Sequence, residues 1–179
     1  ARELIGVDGV AERDAPSLCM KHSVLFVCLG NICRSPLAEG VFRAELERRG
    51  LSDLVRVDSC GTGGWHVGES PDPRSIEVGL DHGVDIGAQR SRQLCSRDYS
   101  DFDWLVAMDG DNERVIQGRA PSGSVATIAR MLDFHPGAGR RDVPDPYYGG
   151  PGGFETVYAL LQGAVPSLLD AVLSPGDDA

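Results

Sequence analysis

Apolar residues fall in short runs that alternate with longer stripes at helical spacing. Residues 24–28 (VLFVC) form a β-branched run of the length of a buried strand. Ser35-Pro36, followed by Leu37, Val41 and Phe42, then reads as a helix start with its core stripe. The unit strand, tight loop, helix recurs. Residues 54–59 alternate as a second strand, and Asp72-Pro73 supplies an N-cap and first-turn proline for a helix ending near His82-Gly83. Residues 103–108 (DWLVAM) predict a third strand, 109–117 a polar-starting helix and 125–132 a fourth strand. After a Gly- and Pro-rich loop over 137–153, residues 154–173 carry Val157, Leu160, Leu161, Ala164, Val165, Leu168 and Leu169 at helical spacing, with Pro166 predicted to kink or break that helix. Strands alternating with helices predict a single α/β domain, a parallel sheet covered by helices on both faces.

Length and composition narrow this picture. The 179 residues suffice for one core, and 41% hydrophobic with 25% charged residues is ordinary for a globular chain. No apolar run reaches bilayer length, so no membrane span is predicted. The net charge of -10, with basic residues scattered rather than blocked, argues against nucleic acid as a partner. An anionic substrate remains open, because a helix N-terminus and local donors can build a positive pocket inside an acidic surface. Cys19, Cys28, Cys33, Cys60 and Cys95 make an odd set with no C-x-x-C pair, which favours reduced thiols and a cytoplasmic compartment. Residues 1–19 carry both charge signs and no apolar period, and are expected to be a poorly ordered extension before a domain over 20–175, with Met20 as an original start.

The candidate chemistry sits in residues 24–40, VLFVCLGNICRSPLAEG. In a parallel sheet, ligands bind beyond the carboxyl ends of the strands, where Cys28 to Arg34 follow the first one. Gly30 permits a tight path, and loop amides with the following helix N-terminus can converge on a phosphate-sized oxyanion. Arg34 can add a planar two-pronged donor, and the same positive field favours a Cys28 thiolate, which makes Cys28 a nucleophile. The bare spacing of a cysteine and an arginine is common; its position between a strand and a capped helix, with Gly30, Asn31 and Ser35 in the loop, is what carries the reading.

The loop CLGNICRSP with the later DPYYG (145–149) closely resembles the low-molecular-weight protein tyrosine phosphatases. The stretches RVDS, HGV, MDGDN and FETVY match the same family in order, over about residues 23–173. The resemblance implies a four-stranded parallel sheet in a three-layer sandwich, a cysteinyl-phosphate intermediate, and neither metal nor cofactor. It assigns Cys28 as nucleophile, Arg34 as oxyanion donor and Asp145 as general acid and base. Leu29, Gly30, Asn31, Ile32, Cys33 and Ser35 complete the phosphate loop, with Ser35 on the sulfur; Ser59, His82 and Asp109 support it from behind, Asp109 by orienting Arg34. Leu29, Ile32, Trp65, Tyr147 and Tyr148 match the walls of the substrate cleft. Cys33 matches the thiol that closes a reversible disulfide with oxidised Cys28; Cys19, Cys60 and Cys95 read as ordinary thiols.

The activity implied is hydrolysis of phosphotyrosine in proteins and of small aryl phosphates. Two alternatives use the same scaffold. A protein arginine phosphatase would carry threonine where Ile32 stands, and an arsenate reductase would need further downstream cysteines, of which only Cys95 is available.

Overall fold

The computed structural model describes residues 20–174; the expected extension over 1–19, with Cys19, lies outside the described residues. The elements are β1 (His22–Cys28), α1 (Arg34–Arg49), β2 (Val55–Gly61), α2 (Pro73–Asp81), α3 (Asp98–Asp101), β3 (Trp104–Ala107), α4 (Gly110–Arg119), β4 (Thr127–Arg130), a 3-10 turn (Met131–Phe134) and α5 (Gly153–Leu173). The four strands form one sheet in the order β2-β1-β3-β4, each neighbouring pair parallel. From β1 the chain steps first to β2 on one side, then to β3 on the other. The crevice at the carboxyl ends of β1 and β3 is where this direction reverses, which is where open α/β sheets bind ligands. Cys28 is the last residue of β1.

β1 is apolar on both faces because it is central. Its pleat sends Val24, Phe26 and Cys28 into the core formed with α1 and α5, and Leu25 and Val27 into a second core with Tyr99, Phe102, Leu105 and Ile116. Each large side chain so buried contributes about 1.5–3 kcal/mol, and the pleat puts the Cys28 side chain on the side of the α1 N-terminus.

Several expectations shift. α1 begins at Arg34 rather than Ser35, and no side chain caps it. The Ser35 hydroxyl is committed to the loop instead, 3.0 Å from the Cys28 sulfur. β4 is shorter than its apolar run because the chain turns into the 3-10 turn at Met131. The short helix α3 has too few residues for a period to show in the sequence. α5 is continuous through Pro166. Proline deprives the preceding turn of one hydrogen bond, but Leu161, Ala164, Val165, Leu168 and Leu169 are all at most 1% exposed around it. Arg49 ties the same stretch from outside, Nη1 pairing with Asp170 at 2.6 Å and Nη2 donating to the Pro166 carbonyl at 3.4 Å. With 21 mostly apolar residues, α5 has the length and composition of a membrane span, although no single apolar run within it is that long. In this fold it is the helix that closes the larger core.

Candidate active site

Between β1 and α1, residues 28–35 wrap into a cup whose carbonyls are bound from outside. The carbonyl of Cys28 accepts from Thr62 N–H, that of Leu29 from Gly63 N–H and that of Ile32 from Asp72 N–H, at 2.9, 2.9 and 2.7 Å. Ser91 Oγ donates to the Gly30 carbonyl at 3.1 Å and Ser75 Oγ to that of Cys33 at 3.0 Å. In a trans peptide the N–H points opposite to the carbonyl. The outward carbonyls therefore turn the N–H groups of Leu29, Gly30, Asn31, Cys33 and Arg34 inward, toward the sulfur; that of Asn31 meets it at 3.3 Å. Such a ring of convergent donors in front of a helix N-terminus is an oxyanion cradle. Gly61 lets the loop come this close, since a Cβ there would stand 2.8 Å from the Leu29 carbonyl oxygen.

Asn31 holds the cup together. It is buried and has φ 55°, the left-handed conformation that asparagine tolerates better than most residues. Its Nδ2 donates to Ser35 Oγ at 2.9 Å and to Ser59 Oγ at 3.0 Å, and its Oδ1 accepts from the Arg92 N–H at 2.9 Å. Ser59 Oγ donates in turn to Glu39 at 2.7 Å. Burial pushes the Glu39 carboxyl up, against the lowering pull of Ser59 and Arg43.

Arg34 reaches the cup from the first turn of α1 and is 3% exposed. Nη1 donates to Asp109 Oδ2 at 2.6 Å and to the Val143 carbonyl at 3.1 Å, while Nη2 lies 3.4 Å from Asp145 Oδ2. Burial works against its charge, but Cys28, Asp109 and Asp145 outweigh burial and leave its pKa raised. Asp109 also caps α4, accepting from Asn112 N–H at 2.8 Å, so one carboxylate serves both contacts. Cys33 faces the same space as a protonated thiol: burial, then the negative charge of Asp72 and Cys28, pushes it up to about 12.

A cleft of about 200 Å³ opens above the sulfur, lined by the loop, Trp65, His66, Asp145, Tyr147 and Tyr148. Trp65 is 72% and Tyr148 96% exposed, so both present open aromatic faces. The Trp65 ring folds back over Gly63, where a Cβ would lie 1.8 Å from it. His66 Nδ1 pairs with Glu69 at 2.7 Å.

A model of the low molecular weight phosphotyrosine protein phosphatases matches residues 23–175. The chain belongs to this family. Among its relatives is a low molecular weight protein-tyrosine-phosphatase of Streptomyces coelicolor, 46% identical over 156 residues that make up 86% of this chain and 94% of the relative. A protein tyrosine phosphatase of Entamoeba histolytica, solved with Hepes in the active site, superposes with a TM-score of 0.80 at 39% identity, covering 83% of this chain and 95% of that one. A Drosophila arginine phosphatase superposes with a TM-score of 0.77 at 32% identity, covering 87% of this chain and 99% of that one.

For a phosphatase of this family, the tertiary structure brings Cys28, Arg34 and Asp145 together with Asn31, Ser35, Ser59 and Asp109. It does not bring His82 there, and that expectation is corrected. His82 caps the C-terminus of α2, where its ring stacks on Tyr158 at 3.9 Å and its Nε2 pairs with Glu155 at 2.7 Å. The chain turns at Gly83 (φ 78°), which leaves His82 against α5. The network behind the loop runs instead through Glu39 and the Arg92 amide. Glu39 could have been noticed in the sequence, as a carboxylate on the buried stripe of α1 one turn beyond Ser35. Among the described residues, no group of three or more His, Cys, Asp or Glu is placed to hold a metal ion.

Proposed function

We propose that this phosphatase hydrolyses phosphotyrosine in proteins, in two steps and without a cofactor, in the cytoplasm. The observation that carries the reading is the cup itself: a sulfur facing inward N–H groups, a buried guanidinium across from it and a carboxyl at the mouth. The Cys28 thiolate attacks phosphorus, the bond from phosphorus to the aryl oxygen breaks, and Asp145 delivers its proton to that oxygen. Loop amides and the Arg34 fork hold the three equatorial oxygens. As the phosphoryl dianion takes the Arg34 fork, the Asp145 carboxyl is released toward the leaving group. Water then attacks the phosphocysteine, giving its proton to Asp145 and returning the thiolate.

Aromatic walls on both sides of the cleft suit a planar ring, and the bulk of Ile32 in the loop favours tyrosine over arginine. Turnover of matched phosphotyrosine and phosphoarginine peptides tests this choice. Tyrosine should be preferred by at least about tenfold in kcat/KM, and preference for phosphoarginine would overturn it. Cys33 serves as the resolving thiol: peroxide converts the Cys28 thiolate to a sulfenic acid, and the Cys33 thiol displaces water to form a disulfide. A thiol held to about 12 is a slow partner at neutral pH, so closure should speed up as pH rises.

A further inference from the structure

Asp145 is about half exposed, and its own contact with Arg34 must be given up when a phosphoryl group arrives. A second arginine, the next residue after the proline that opens α2, is linked to Asp145 through Tyr147. Arg74 forks onto the Asp72 carboxylate, Nε to Oδ1 at 3.0 Å and Nη2 to Oδ2 at 2.8 Å, and its backbone N–H donates to Oδ1 at 2.9 Å. Asp72 is itself tied to the phosphate loop through its N–H on the Ile32 carbonyl at 2.7 Å. The guanidinium is thus mounted on the rigid side of the cleft. From there Nη1 donates to the Tyr147 carbonyl at 3.2 Å. The guanidinium also lies over the rings of Tyr147 and Phe154, 5.5 and 4.6 Å from their centroids. The Tyr147 N–H donates to Asp145 Oδ1 at 3.1 Å. One line of contacts therefore runs from the phosphate loop through Asp72, Arg74 and Tyr147 to the acid carboxyl.

We propose that Arg74 is a positioning residue for proton donation, holding the Tyr147 backbone by its carbonyl so that the Tyr147 N–H keeps Asp145 over the leaving oxygen once Arg34 has turned to phosphate. The role needs a fork toward Asp72, a free N–H toward Tyr147 and a flat face on two rings at once. A guanidinium supplies all three and an ammonium does not. Arg74 is half exposed but Asp72 is buried, so losing the pair costs some stability as well; the leaving-group dependence of turnover, which a loss of stability does not move, is what reads the geometry of the acid.

The inference rests on Asp145 being the general acid, and leaving-group dependence separates the two claims. With phenyl phosphate, whose phenol needs a proton, Arg74→Met should lower kcat/KM about tenfold; with an aryl phosphate of a much more acidic phenol the loss in kcat/KM should be twofold or less. Vanadate inhibition should be unchanged, while thermal unfolding should move to lower temperature because the buried Asp72 carboxylate loses its partner. In an Asp145→Asn background, Arg74→Met should cost nothing further, because the group it aims is gone. Arg74→Lys and Asp72→Asn should tilt the leaving-group dependence the same way by a smaller amount, and they carry the test if Arg74→Met does not fold. An equal loss on every leaving group, or a full tenfold loss added to Asp145→Asn, would reduce Arg74 to a surface brace. If Asp145→Asn itself lacks the leaving-group dependence, the acid assignment falls and this inference with it. If Asp145→Asn shows the dependence and Arg74→Met does not, this inference alone fails.

Discussion

Asn31, Cys33, Arg34 and Ser35 in the phosphate loop are buried and framed by three other segments of chain, whereas Asp145, Tyr147 and Tyr148 across the cleft stand in solvent. The loop carbonyls are held by residues 62–63, 72–75 and 91. The acid side is held by Arg34, Arg74 and a turn closed by Gly149 N–H on the Pro146 carbonyl at 3.1 Å. The difference follows from what each side must do. Oxyanion donors stabilise a transition state only if they are aimed before the charge develops, so that side is over-determined. A protein substrate must enter and leave on the other side, and that side is tied by a few replaceable contacts.

The largest effect belongs to the rigid side. Cys28→Ser should cut phosphate release by at least about 10³-fold while leaving vanadate binding within a few fold, because the amides and Arg34 remain. Turnover near wild type would remove Cys28 as nucleophile; loss of vanadate binding would mean that the cup depends on the sulfur rather than on its frame.

Next comes Asn31, where backbone strain and side-chain bonding can be separated. Asn31→Ala loses three hydrogen bonds and faces the left-handed φ of 55° without help. It should cost about 2–4 kcal/mol in urea unfolding and at least about tenfold in kcat. Asn31→Gly tolerates the φ and should recover about 1 kcal/mol of that stability. Equal stabilities of the two variants would show that the side-chain bonds alone hold the loop.

Cys33 sharpens the comparison through pH. Its thiol sits at about 12 in the folded chain against an ordinary 9.0. Below pH 9 both states keep the proton and nothing is lost. Between pH 9 and 12 the unfolded chain ionises first, so stability falls by up to about 4 kcal/mol. Tyr99 and Cys60, also raised by burial, add to the decline. Cys33→Ala should therefore lose less stability than wild type between pH 8 and 11 by chemical denaturation; parallel curves would mean that Cys33 ionises freely in the folded protein. The same variant should fail to recover activity with dithiothreitol after peroxide.

The smallest effect belongs to the open side. Tyr148→Ala, at 96% exposure, should leave stability within about 0.5 kcal/mol and raise KM for a phosphotyrosine peptide several-fold, with kcat nearly unchanged. A drop in kcat instead would mean that Tyr148 helps to aim Asp145.

Element type, the parallel sheet and the phosphate loop were legible in the sequence because each depends on local spacing. A β-branched run, a glycine turn, a Ser-Pro helix start and an Asp-Pro cap act over a few residues, and their physics does not wait for the rest of the chain. Cys28, Arg34 and Ser35 could be picked out for the same reason. Tertiary structure alone decided which distant residues stand behind them. His82 and Gln89 lie seven residues apart, yet the first turns to α5 while the second donates to the Pro36 carbonyl at 3.0 Å. Glu39 became the end of the Asn31–Ser59 network because β2 pairs with β1 in the register Phe26 to Ser59. Arg74 reaches Tyr147 across 73 residues of chain. Pro166 stayed inside a helix because packing on α5 outweighed one missing hydrogen bond. In each case the deciding energy is a contact between segments far apart in sequence, and no local pattern encodes where such segments meet.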